Sequence, residues 1–127
     1  MTCLFCKEKL VHSFRMIEQS DHHLWFYTND SEVIDRTPEY VVQHISNELQ
    51  YYHHTIPQCT WSWYYDAQHF VFDFTAMDIF LRMLEVLTKY GSTLCRIHII
   101  PNEMMKHMLQ IVHPMLPTRI ASLLTFS

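Results

Sequence analysis

The sequence predicts an α/β protein: one compact domain on a single mixed, mostly parallel sheet with about three helices. Three observations carry this. A length of 127 residues suits one domain. Apolar residues at 49% and charged residues at 17% exclude a disordered chain. Segments of strand character alternate with segments whose apolar residues recur at helical spacing, as right-handed βαβ crossovers require. Residues 1–13 read as an N-terminal lead-in and 14–127 as the domain.

Residues 14–17 predict a first strand and residues 24–27, Leu-Trp-Phe-Tyr, a second, with Asp21-His22-His23 turning between them. The polar stretch 28–31 is a loop. Thr37-Pro38-Glu39 places a capping hydroxyl, a proline and an acid where a helix begins. Val41, Ile45, Leu49 and Tyr52 form that helix's apolar stripe, and His44 falls among the polar positions. The helix fades by His53-His54, ahead of Pro57.

Residues 60–65 and 70–74 are aromatic and β-branched on either side of Asp66-Ala67-Gln68-His69, and predict a hairpin. In its second strand Phe70, Phe72 and Phe74 share a face while Asp73 points the other way. Thr75 and Asp78 have capping-box spacing for a second helix, striped by Phe80, Met83, Leu84 and Leu87. Gly91, the only glycine, lies just past this helix and predicts a left-handed C′ terminator. Residues 96–100 are a strand. Asn102-Glu103 opens a methionine-rich third helix, ended by Pro114 and Pro117. Residues 120–126 read as a terminal strand.

Composition excludes several functions. With one glycine, neither G-x-G-x-x-G nor G-x-x-x-x-G-K-[ST] is possible, nor is a G-x-S-x-G nucleophile elbow. Nine Lys+Arg against thirteen Asp+Glu give a net charge of −4, and no basic block marks a nucleic-acid footprint. The ten histidines read as solvated surface. No apolar run approaches the ~18 residues of a membrane helix. Lys7, Glu8 and Lys9 interrupt the N-terminus before a signal peptide forms, so a cytoplasmic protein with reduced thiols is expected.

Cys3-x-x-Cys6 has metal-knuckle spacing. A structural zinc site needs two more ligands, for which His12, His22 and His23 are the candidates. No second CxxC or H-x₃-H pair accompanies it, so the preferred expectation is plain N-terminal thiols and no cofactor. Adjacent histidines point apart, so neither His22-His23 nor His53-His54 makes a bidentate site. Asp73 and Asp78 flank a strand-to-helix turn, where α/β proteins bind ligands. No nucleophile–base pair stands out, and no enzyme is expected. Trp61, Trp63 and Tyr65 alternate on one strand face. With Phe70, Phe72 and Asp73 they are the candidate ligand- or partner-binding residues.

The second half resembles a known family. Phe70-Val71-Phe72-Asp73-Phe74, a helix ending at Tyr90, Arg96-Ile97-His98-Ile99-Ile100, then Ile111-Val112-His113-Pro114 and Arg119-Ile120 follow in order. This resembles the CRAL-TRIO lipid-binding domain, which reads as a strand ending in Asp, a helix ending in Tyr-Pro, R-I-x-I-I-N-x-P, I-V-K-P-x-L and a K-I strand. Here Gly91 replaces the family's proline, and Pro101 precedes Asn102. The strand-helix order is also similar to the STAS domain, though its D-S-[ST]-G turn is absent and only Thr75 stands there. The resemblance implies the sheet-and-helix core and a non-enzymatic module for a lipid or other hydrophobic ligand. The family's gate helix and last strand have no counterpart before Ser127. This sets beside it an alternative: a protein-interaction or assembly subunit, of a larger complex or a virion, that has lost the lipid gate. Protein partners or self-association are expected on that reading.

Overall fold

The computed structural model describes Cys3, Cys6 and residues 10–127. Five strands form one sheet: β1 (Arg15–Ser20), β2 (His23–Asn29), β3 (Thr60–Ala67), β4 (Leu94–Pro101) and β5 (Leu124–Phe126). Their spatial order is their chain order. β1 and β2 are an antiparallel hairpin, and β2, β3, β4 and β5 run parallel. The connections are α1 (Pro38–Thr55), α2 (Phe74–Tyr90), and α3 (Glu103–Val112) followed by the short α4 (Thr118–Ser122). The expected fold class, one mixed and mostly parallel sheet with a small set of helices, is the one observed. No helix among the described residues is long and apolar enough to cross a membrane.

Three parallel crossovers of one hand, each stepping one strand the same way, put every helix on one face of the sheet. Burial agrees. Leu24 and Phe26 of β2, Trp61 and Trp63 of β3, and Ile97 and Ile99 of β4 are buried with Ile45, Leu49, Met83, Leu87, Met108 and Ile120 of the helices. Phe14 stacks on Phe26 at 4.6 Å between ring centroids and meets Trp61 and Trp63 edge-on. Trp61 is fully buried, and its indole N–H donates to the Tyr90 carbonyl at 3.1 Å. The opposite face carries a row in register across four strands: Tyr27, Tyr64, His98 and Thr125. Arg15 lies over the Tyr27 ring, Tyr27 stacks with Tyr64, and Tyr64 packs against His98.

Several expected elements are corrected. Residues 70–74 are not a strand. β3 is already paired on both edges, by β2 and β4, so no edge is left for a hairpin partner. Instead the Phe70 amide donates to the Ala67 carbonyl in a turn, and α2 begins at Phe74. Phe70 is buried, whereas Phe74 is 97% exposed, so the two do not share a face. The α2 cap is Asp73, whose carboxylate accepts from the Ala76 amide at 2.8 Å. Thr75 lies inside the first turn, and Asp78 pairs with Arg82 at 3.0 Å.

Gly91 has φ −69°, not a left-handed conformation. Its want of a side chain serves packing, because a Cβ there would meet Ile120 Cδ1 at 3.0 Å. Arg119 donates to the carbonyls of Gly91 and Leu94 and holds α4 over that spot. Residues 118–122 are therefore helical, and only Leu124–Phe126 join the sheet. Thr37 holds the N-cap position of α1, but its hydroxyl donates to Asp35 Oδ1 at 2.7 Å and caps nothing.

Truncating Trp61 to Ala should cost about 3–5 kcal/mol. Asp73→Ala should cost about 1 kcal/mol through the lost cap, and Thr75→Ala less than about 0.5 kcal/mol. Urea unfolding of the three variants checks both, and a Thr75 effect larger than that of Asp73 would contradict the cap assignment.

Candidate functional site

Between the helical face of the sheet and the helices lies a cavity of ≈ 320 Å³. Trp63, Tyr65, Ile97 and Ile99 of the sheet form its floor. Ile45 of α1, Ile79, Phe80 and Met83 of α2, and Met105 and Met108 of α3 form its roof, with Phe70 in its wall. The alternation of β3 places Trp63 and Tyr65 on the same side, where their rings stack at 5.7 Å. One end is polar, with His12, Ser13, Thr28, Asp30, Arg36 and His69.

The polar end is an organised network. The Tyr65 hydroxyl donates to the Asp30 carboxylate at 2.9 and 3.0 Å. Burial raises the Asp30 carboxyl to about 6, against the opposing pull of that hydrogen bond and of Arg36. Burial and the adjoining carboxylate also push the Tyr65 phenol well above its usual value. The Trp63 indole donates to Thr28 Oγ1 at 2.8 Å. Arg36 is held by a bidentate pair to Asp73, 3.0 Å for each bond. The Arg36 hydrogen bond, followed by the Ala76 amide, holds the Asp73 carboxyl below the usual carboxylate range.

Of the six residues singled out in the sequence, the cavity wall brings together Trp63, Tyr65 and Phe70. Trp61 lies deeper in the core. Phe72 is half-buried beside His107, with ring centroids 6.0 Å apart. Asp73 reaches the site only through Arg36. Sequence reasoning missed Asp30 and Arg36, which sit in segments whose composition reads as loop.

A second constellation lies at the N-terminal side. Cys3, Cys6, His12 and His44 present ligand atoms that all lie within 4.8 Å of one another, so the cluster could hold a metal ion. The Cys6 amide donates to the Cys3 carbonyl at 3.0 Å. His12 Nδ1 is 3.5 Å from Cys3 Sγ and 3.6 Å from Cys6 Sγ, and His44 Nδ1 is 4.0 Å from Cys6 Sγ. Both imidazoles are buried. His12 Nε2 lies 2.6 Å from Asp35 Oδ2, and His44 Nε2 2.9 Å from the Phe14 carbonyl. Burial lowers the His44 imidazole, chiefly by removing it from water.

Of the expected partners for the thiols, His12 is present and the others are elsewhere. His22 is exposed in the β1–β2 turn, and His23 bonds Thr60 and Ser62. His44 falls among the polar positions of the sequence pattern yet is buried, as is His12, which corrects the surface reading for both. The helical wheel held the signal: position 44 lies three residues after Val41 and one before Ile45, on the edge of the apolar stripe.

No family model matches the chain, and no curated protein matches its sequence.

The Asp30 carboxyl is raised in the folded state, so its contribution to stability is full below about pH 4 and is lost as pH rises through about 6. Asp30→Asn keeps an acceptor for Tyr65 without the charge. Its stability relative to the native chain should therefore rise between pH 4 and 7, by on the order of 2 kcal/mol. Denaturant unfolding across that range checks this, and parallel pH profiles for the two proteins would refute it.

Proposed function

We propose that this chain is a non-enzymatic binding module that takes a lipid or another hydrophobic small molecule into the cavity between the sheet and α1, α2 and α3. The cavity carries this reading. Packed interiors contain few voids larger than a water molecule. A space of ≈ 320 Å³ walled by aromatic, aliphatic and methionine side chains falls in the ~300–1,000 Å³ range of ligand pockets. The methionines Met83, Met105 and Met108 give the roof adaptable side chains. The polar end offers Asp30, Tyr65 and Arg36 to a head group, so a chain-like molecule with a hydroxyl or carboxyl terminus fits best. The resemblance to the CRAL-TRIO domain supports the same ligand class.

One observation favours a second reading, a protein-interaction or assembly subunit. Phe74, at the first position of α2, is 97% exposed, and Val71, three residues earlier at the cavity, is 50% exposed. Large apolar side chains so placed suit a protein contact.

Native mass spectrometry of the purified chain should show a co-purifying lipid or uptake of a fluorescent fatty acid at one per chain. Met108→Trp, which fills the roof, should weaken uptake at least tenfold while leaving the circular dichroism unchanged. A native chain that neither carries nor takes up any lipid would end the first reading. Concentration-dependent self-association abolished by Phe74→Ser would support the second.

A further inference from the structure

We propose that Cys3, Cys6, His12 and His44 form a closed, tetrahedral zinc site. This goes beyond the cavity reading and does not depend on it.

The argument begins with the imidazole tautomers. Asp35 and the Phe14 carbonyl offer only acceptor atoms to the two Nε2 atoms, at 2.6 and 2.9 Å. In the neutral imidazoles these acceptors place the ring proton on Nε2 and turn the Nδ1 lone pair toward the cluster. Both lone pairs belong to one cluster with two sulfurs. An acceptor on the second ring nitrogen is the arrangement that orients metal-bound histidine and raises its basicity.

The spacing fits the ion. Zinc–sulfur and zinc–nitrogen bonds of ~2.3 and ~2.0–2.1 Å at tetrahedral angles give a sulfur–nitrogen edge of about 3.5 Å. His12 Nδ1 lies 3.5 and 3.6 Å from the two sulfurs, and the edge from Cys6 to His44 is 4.0 Å. A tetrahedral set of two thiolates and two imidazoles selects zinc over the oxygen-preferring cations. Four protein ligands leave no open position, so the site is structural. It joins Cys3, Cys6 and His12, ahead of β1, to His44 of α1. His12 and His44 also form part of the cavity wall, so the same ion would fix that wall.

The test uses the full chain, purified without a polyhistidine tag. Elemental analysis after dialysis should find one zinc per chain. Exchange into cobalt(II) should give the intense visible absorption of a tetrahedral ion and a thiolate charge-transfer band in the near ultraviolet. Cys6→Ser should diminish that band, and His44→Gln should abolish stoichiometric binding. Asp35→Asn, which leaves all four ligands in place, should weaken zinc affinity about ten- to a hundredfold. His23→Gln should match the native chain. Should the ligand variants fail to fold, the cobalt spectrum of the native chain and the Asp35→Asn affinity decide alone. Metal-free protein with only the weak spectrum of octahedral cobalt would overturn the site. So would zinc binding that Cys6→Ser and His44→Gln leave unchanged.

Discussion

The structure depends on one constraint: each parallel crossover moves a single strand sideways, always in the same direction. A right-handed connection of that kind has only one face on which to lay its helix. All the helices therefore share a side, and the sheet acquires an apolar face and a mixed one. The alternation of β2 expresses this residue by residue, with Leu24, Phe26 and Thr28 inside and His23, Trp25 and Tyr27 on the other face. A two-layer arrangement has a single interior, and that interior holds both the core and the cavity.

Within that layer the polar groups are concentrated rather than scattered. Asp30, just after β2, and Tyr65, near the end of β3, meet at the carboxyl ends of parallel strands, where α/β sheets gather ligand-binding groups. Asp73 serves two structures at once. One oxygen caps α2 while the carboxylate holds Arg36, so the start of α2 and the segment before α1 are tied at the same corner. The pair is largely exposed and adds little to stability. Its effect is positional, since it fixes a guanidinium at the polar end of an apolar space.

The architecture was legible wherever local pattern and tertiary environment agreed. The alternating aromatic residues of β3 and the apolar stripes of α1 and α2 were read from periodicity, and the sheet class follows from their order. Residues 70–74 mislead because an aromatic stretch fills a core equally well from a loop. The strand reading fails on a non-local fact, the prior pairing of both β3 edges. Residues 120–126 mislead similarly, since Ile120 is apolar to pack beneath Gly91 and not to alternate in a strand. Of the cysteine–histidine cluster, the CxxC spacing and His12 were visible locally. His44 stands 32 positions after His12, and only the docking of α1 against the start of β1 brings it there. Asp30 and Arg36 gave no signal at all, because a charged side chain in a polar stretch looks the same whether the fold draws it to a site or leaves it in water.

Strand order that repeats chain order also bears on how the molecule is made. In the finished sheet every strand after β1 pairs with the strand that precedes it in the chain, so each one adds to an outer edge. No strand has to be inserted between two others, and no earlier pairing has to be undone. The parallel part of the sheet is a series of ribs, each reached through its own helical cover, and the three-residue β5 is its outer edge. A topology of this kind permits pairing in the order of synthesis.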